Sequence, residues 1–479
     1  MSPHSKTSWR SGKILQNLDS IFFVLLFLVF YVSFFPGILN IDATYQLNAA
    51  LTHFRDWHSP IMTWIWAGLN HLYVGPALML LLIQLELFSG LYLLLHLTIP
   101  SAIIRCLGTT CLILLPMAFP IFGYEMKDSF FCANLLLGFA LATLSSVSHH
   151  TRPQRFIYTF SALVFLFLAT ATRPDGAAAI IPPIGWMAWN WLKIFPSHSF
   201  AFNRFGSVVL YFFAGTLVSI TFCLGVNIAN IILCEGWKDY PEQVVMDHDL
   251  AGISIADNQL HFPPSRLSEG ATLKSLKAVY TPANSWAIFF PKNAPLQPVR
   301  INHQKEYNEL AAAWIGTIRN HPLLYLQNRL TTFVAMVGLQ GPLPDTHELS
   351  WGSYPKTFGN FASYAAVHGE FSPGRLIRWE QWLHDLVEPF FLFRPIVYIL
   401  LALGCIGYQL CSGRLDRLPN QASLVLALSG LAHLLVFFIC APSAEIRFAF
   451  WLTFSSLLST LLICADFITH EPQKPTDRL

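Results

Sequence analysis

The ionisable residues best placed for chemistry lie in short polar turns of an otherwise apolar chain: Asp42, His58, Glu125, Lys127, Asp128, Arg173, Asp175, Glu445 and Arg447. Together they offer carboxylates that can take a proton, an imidazole, and cations that can hold a phosphate or carboxylate. Ionisable groups gathered at a water–lipid boundary are expensive unless something uses them. The pattern predicts an active site embedded in a membrane and open to one side.

The first turn reads FPGILNIDATYQLNAALTHFRDWHSP (35–60). Leu47, Ala50, Leu51 and Phe54 share one face at helical spacing, which predicts a helix lying on the membrane surface. Asp42, just before it, has two readings: an N-cap, or a carboxylate held at the boundary as a general base or metal ligand. His58 follows in the same loop, as an interface residue or a participant in the chemistry. In FGYEMKDSFF (122–131), Glu125 and Asp128 suit a helix start and Lys127 can snorkel, but the triplet also supplies acid and cation. Pro174-Asp175-Gly176 is ordinary turn chemistry. Arg173 before it ends an apolar helix on the side that disfavours arginine, so it calls for an anionic partner. In CAPSAEIRFAFW (440–451), Glu445 and Arg447 form either a loop salt bridge or part of a lipid-headgroup site.

The elements that must position these residues are membrane spans. The chain has 54% apolar and 12% charged residues and a mean hydropathy of +0.48, whereas a soluble domain carries about 25% charged residues. The fold class is therefore an all-α polytopic membrane protein. A net charge of +2 with no basic run gives no footing to a nucleic-acid partner. Nine scattered cysteines without zinc spacing read as small buried hydrophobes, with no disulfides. Lys6, Arg10 and Lys13 precede an apolar run without a small-x-small cleavage site, so the run reads as a retained first span.

Apolar stretches fall near 19–36, 75–98, 102–122, 129–147, 156–172, 176–194, 207–234, 322–340, 389–410, 422–441 and 447–467. With His149, His150, Arg152, Arg155, Lys193, Arg204, Arg414 and Arg417 inside, the chemistry-bearing turns all face outward. The stretch 322–340 contains His321-flanked Gln327, Asn328 and Arg329, which suits an embedded amphipathic helix better than a crossing. Ten crossings are expected, eleven if it spans. The organisation expected is a transmembrane module (1–234) with the reactive loops, an outer-face region (235–388) including the partly embedded helix, and C-terminal spans with a short tail (389–479). The segment 235–321, rich in proline and polar residues, reads as a small outer domain of mostly irregular structure.

The patches PGILNIDATYQ with DWHSP, EMKDS, TRPDG and EIRF, on this architecture, resemble the GT-C class of polytopic glycosyltransferases, and in particular a bacterial branch with a similar first loop. The resemblance implies a GT-C-like bundle of about 10–11 helices in the bacterial inner membrane, with its active site facing the periplasm or exterior. It implies transfer of a hexose or pentose from a polyprenyl-phosphate carrier to an envelope glycan, lipid or protein acceptor. Asp42 would then be the catalytic base, Asp128 or Glu125 a second acid in the same cavity, and Arg173, Lys127 and Arg447 the holders of the lipid phosphate. The first loop has no Asp-x-Asp or Glu-x-Asp pair, so no metal ligand is assigned, and a divalent cofactor (Mg or Mn) is left open. Tyr280, Trp286, Trp351 and Tyr354 are candidates for stacking on sugars. Two other readings compete: a lipid-linked glycan polymerase or ligase using His248, His261, Arg266, Arg300 and His303, and a transporter or flippase. The transporter reading asks for charges near span centres and matched broken helices; here the charges sit at span ends.

Overall fold

The computed structural model describes residues 4–37, 39–115, 118–147, 150–193, 204–234, 238–290, 294–297, 303–340 and 391–469. Among them every extended element is helical, with isolated bridges at Leu267–Leu296 and Thr281–Asn284. Helix α1 covers His4–Phe34 and α2 Ile41–Leu51, followed by α3 (Pro60–Asn70), α4 (Ala77–Thr98), α5 (Ala102–Leu114) and α6 (Phe119–Gly123). Next come α7 (Lys127–Ser145), α8 (Arg152–Thr172), a 3-10 turn (Pro174–Ala178), α9 (Ile181–Leu192) and α10 (Arg204–Leu233). A membrane-flanking unit holds α11 (Gln243–Asp257), α12 (Leu273–Val279), α13 (Gln304–Asn320) and α14 (Pro322–Met336). The chain closes with α15 (Pro395–Ser412), α16 (Leu418–Cys440), a 3-10 turn (Ile446–Ala449) and α17 (Phe450–Thr469).

Among the described residues, seven helices are long and apolar enough to cross a membrane: α4, α7, α8, α10, α15, α16 and the segment Ile446–Thr469. Helix α7 packs against both α4 and α8 and has 83% of its span buried, whereas α10 has 17% buried. The first is the bundle's centre; the second turns most of its apolar surface outward, as a lipid-facing helix does. Two stretches expected as single spans are broken. The 102–122 stretch stops at Leu114 and resumes as the short α6, in sequence carrying Pro116 and Pro120, which a helix interior does not tolerate. The 176–194 stretch begins as a 3-10 turn, and α9 starts afresh with Pro182 and Pro183 in its first turn, where a missing N–H costs nothing.

Helix α14 is 15 residues long, short of the roughly 20 that a bilayer core requires. Its polar residues are spent on neighbours at one end of the bundle. Arg329 donates to the Ala441 carbonyl at the close of α16 (2.8 Å) and pairs with Asp249 on α11. Just beyond the helix, the Val337 carbonyl accepts from Ile396 N–H at the start of α15. The middle of α14 and the residue after its end are thus both held to the C-terminal part of the bundle.

The unit 238–340 is more ordered than its composition suggests. Helices of 15, 7 and 17 residues enclose a separate core that includes Val244, Leu250, Phe262, Leu276, Ile288 and Leu310. Its helicity was hidden because the polar run Asp247-His248-Asp249 is fully buried, each member partnered by a distant residue: Arg266, the Thr281 carbonyl and Arg329. All nine cysteines are free. Cys132, Cys234 and Cys405 are buried as expected, but Cys111, Cys411 and Cys464 are exposed on apolar helices. The segment 341–387, with Trp351 and Tyr354, and the residues His149 and Arg300 lie outside the described residues, as does the end of the tail.

Candidate active site

The local fold releases Asp42 from a capping role. Asn40 Oδ1 accepts the Ala43 N–H (2.8 Å) and is the N-cap of α2, so Asp42, in the first helical turn, has both carboxylate oxygens for other partners. Leu47 and Ala43 on the inner face of α2 are fully buried, fixing which way Asp42 projects. One oxygen lies 3.5 Å from His58 Nε2 and the other 3.5 Å from Lys127 Nζ, and Arg447 pairs with that second oxygen. Lys127 Nζ is also 3.1 Å from His58 Nδ1. Arg447 in turn donates through Nε to Glu445 (2.5 Å), whose other oxygen accepts from Ser443.

A second cluster stands beside the first. Arg173 pairs with Asp128 through one nitrogen and holds Asp175 with the other two, at 3.2 and 2.6 Å. The two clusters meet at an aromatic plate. Phe448 stacks on Phe437 at 4.7 Å, and the guanidinium carbons of both Arg173 and Arg447 lie 5.5 Å from the Phe448 ring. Such cation–π contacts stabilise a poorly hydrated arginine.

Burial by itself raises the Asp42 carboxyl, but Arg447, Lys127 and His58 override it and hold the group well below the usual carboxylate range. Asp175 is likewise raised by burial and lowered, on balance, chiefly by Arg173. Both stay ionised at neutral pH. A divalent cation on Asp42 would sit against Arg447 and Lys127, whose positive charges already neutralise the carboxylate. The residues present therefore do not fit a divalent metal on Asp42, and no step is routed through one.

Next to these clusters is a chamber of about 570 Å³. His58, Lys127, Arg173 and Asp175 line it from the turns that the sequence singled out. Asp42, Asp128, Glu445 and Arg447 stand behind that wall. Glu125 is directed elsewhere: its carboxylate sits where a Cβ on Gly37 (φ +131°) would be, so it braces the start of the first turn and does not line the chamber.

Several lining residues escaped the sequence reading. Asp56 and Trp57 come from the first turn, Lys238, Pro241 and Glu242 from the start of the flanking unit, and Asn227 and Asn230 from α10. The asparagines carried a signal: two amides one turn apart in an otherwise apolar span are costly unless used. Asn227 and Ile231 are exposed and share α10 with the exposed Leu224, Ile228 and Ile232, so one wall of the chamber continues into an apolar outer surface. Buried His433 on α16 packs its ring 4.9 Å from Phe131.

The residues of the polymerase reading do not converge here. Arg266 is spent on Asp247, His248 on the Thr281 carbonyl and His261 on Asp257, while His303 is exposed at the start of α13. Tyr280 is tied to Asn328 (2.7 Å); Trp286 is 6.4 Å from the ring of Trp57 and so reaches the rim. Comparison with protein-family models found no match, and comparisons with curated proteins and with solved structures found none either.

Proposed function

We propose that this chain is a membrane-embedded glycosyltransferase of the GT-C type. It moves a hexose or pentose from a polyprenyl-phosphate carrier to an envelope glycan, lipid or protein acceptor on the outer face of the bacterial inner membrane. The observation carrying this reading is the chamber itself: Lys127, Arg173 and Lys238 face a partly polar space whose α10 wall runs into apolar surface. An anionic headgroup on a long hydrocarbon tail is the ligand whose chemistry changes sign at that same boundary.

In the resting site Asp42 is ionised but held by cations, and so is a weak proton acceptor. A phosphate in the chamber competes for Lys127, and each cation withdrawn from Asp42 raises its basicity. His58, which lines the chamber and lies 3.5 Å from Asp42, then relays the proton of the acceptor hydroxyl to Asp42 as the hydroxyl oxygen bonds to the anomeric carbon. The bond from that carbon to the phosphate oxygen breaks, and the electron pair leaves with the phosphate, stabilised by Arg173 and Lys127. One base suffices for such an inverting displacement. Asp128 and Asp175 act by aiming Arg173; Glu445 does the same for Arg447.

The test is mass spectrometry of surface glycans and glycolipids from cells lacking the gene, complemented with wild type or Asp42→Asn at equal protein level. The expected result is a hexose- or pentose-sized mass loss that wild type restores and Asp42→Asn does not. Full complementation by Asp42→Asn removes Asp42 from the chemistry, and an unchanged glycan profile in the deleted strain rejects sugar transfer.

A further inference from the structure

Away from the chamber, three side chains that sugar transfer leaves unused meet at one corner of the flanking unit. Asp257 is the last residue of α11, and Asn258 at φ 61° reverses the chain in a left-handed turn. The reversal brings His261 back so that its N–H donates to Ser254 Oγ (3.1 Å) and its Nε2 lies 2.7 Å from Asp257 Oδ2. His321 closes α13 and opens α14, and its Nε2 is 3.6 Å from the same carboxylate oxygen. The two imidazoles are 5.0 Å apart, and the three donor atoms all lie within 4.8 Å of one another.

We propose that Asp257, His261 and His321 form a binding site for a divalent transition metal of the zinc type, stapling the α13–α14 corner to the end of α11. A plain ion pair accounts for His261 and Asp257 only. It leaves unexplained a second imidazole aimed at the same oxygen from another helix junction, beyond hydrogen-bond reach. Two imidazole nitrogens and one carboxylate oxygen are a zinc donor set, with metal–ligand bonds of about 2.0–2.2 Å. Tetrahedral geometry at that length separates donor atoms by about 3.3–3.6 Å. The His321–Asp257 distance already fits. The His261–Asp257 distance is that of a hydrogen bond with a proton between the atoms. Replacing that proton with the metal asks the pair to open by about 0.6 Å and releases the proton to solvent. Side-chain exposures of 16%, 21% and 30% for His261, Asp257 and His321 give the ion an entry path and leave its fourth position to water. Imidazole ligands favour zinc over magnesium or calcium, which prefer all-oxygen shells.

The mechanical consequence follows from what the corner joins. Helix α14 sends Asn328 and Arg329 to Asp249 on α11, and a Cβ on Gly252 of α11 would collide with Asn328, so the two helices touch closely. A metal at the far end of both fixes their mutual tilt.

The test uses full-length protein in detergent, purified without a polyhistidine tag, stripped with chelator and dialysed against zinc or cobalt. Elemental analysis is expected to give one zinc per chain for wild type and none above background for His261→Ala and His321→Ala. Cobalt in the wild-type protein should show the visible absorption of a four-coordinate ion, removed by added zinc. Zinc should also raise the melting temperature of wild type but not of His261→Ala. The cobalt spectrum and the zinc-induced rise in wild-type melting temperature need only folded wild type, so a variant that fails to fold leaves the site testable. Absence of stoichiometric zinc in wild type, retention of zinc by both alanine variants, or a six-coordinate cobalt spectrum overturns the proposal. None of these readouts depends on sugar transfer.

Discussion

Both ends of the helical bundle carry buried charges, and they use them differently. At the end away from the chamber, Arg105 gives Nε and one terminal nitrogen to Asp19 (2.9 and 2.6 Å) and the other to the carbonyls of Ile99 and Pro100. Every nitrogen of that guanidinium is spent within the protein. Asp466 is similarly enclosed by Arg414, Arg417 and Asn420. At the chamber end, Arg173 and Lys127 are also paired, yet each presents an edge to open space. A saturated charge cluster locks helices together; one that borders a cavity is able to exchange a partner for a ligand.

The comparison is tested most severely by arginine replacements at both ends. Arg105→Met strands buried Asp19, and Arg173→Met strands buried Asp128 together with half-buried Asp175, each a loss of about 3–5 kcal/mol or more read as a fall in melting temperature. Replacing the pair removes most of that penalty: Asp19→Leu with Arg105→Met, and Asp128→Leu with Arg173→Met, should both melt closer to wild type. The first double variant is expected to keep sugar transfer. The second should lose about 100-fold or more in rate, since a phosphate-holding donor is gone. Equal activity in the two double variants would erase the distinction between the ends. Gly37→Ala comes next: its positive φ and the Glu125 carboxylate in the Cβ position predict a cost of about 1–3 kcal/mol, measured by thermal or detergent denaturation.

A smaller effect concerns pH. The folded pKa values of Asp42 and Asp175 lie below the ordinary carboxylate value, near 3.9 in an unfolded chain. Their contribution to stability is complete above that unfolded value and is lost as pH falls through the folded one. Melting temperature should therefore drop below about pH 4, and the drop should be shallower in Asp42→Asn. Smallest of all, Lys238→Ala removes an exposed cation at the chamber wall. It should raise KM about two- to fivefold, as expected for a screened surface charge, with kcat and melting temperature unchanged.

Charge placement in the sequence was enough to nominate four turns, and Asp42, His58, Lys127, Asp128, Arg173, Asp175, Glu445 and Arg447 do come together. What composition could not supply was pairing. That Asp128 serves Arg173, or that Glu125 leaves the group to brace Gly37, depends on helix rotation and depth, which residue type does not encode. The flanking unit was the hardest to read because burial inverted the usual meaning of its polar run: Asp247, His248 and Asp249 are core residues answered by Arg266, Thr281 and Arg329. Helix ends with proline were misjudged for a simpler reason. Hydropathy averages over Pro116 and Pro120, whereas the backbone stops at Leu114.

The bond between Asp42 and Arg447 joins positions 405 residues apart. At a translation rate of about 5–20 residues per second, the carboxylate leaves the ribosome about 20–80 s before its partner. During that interval Asp42 has Lys127 and His58 but not its closest partner, and only the final turn completes its surroundings. A chain cut short before the last turn lacks Glu445 and Arg447 and so cannot complete the wall behind the chamber.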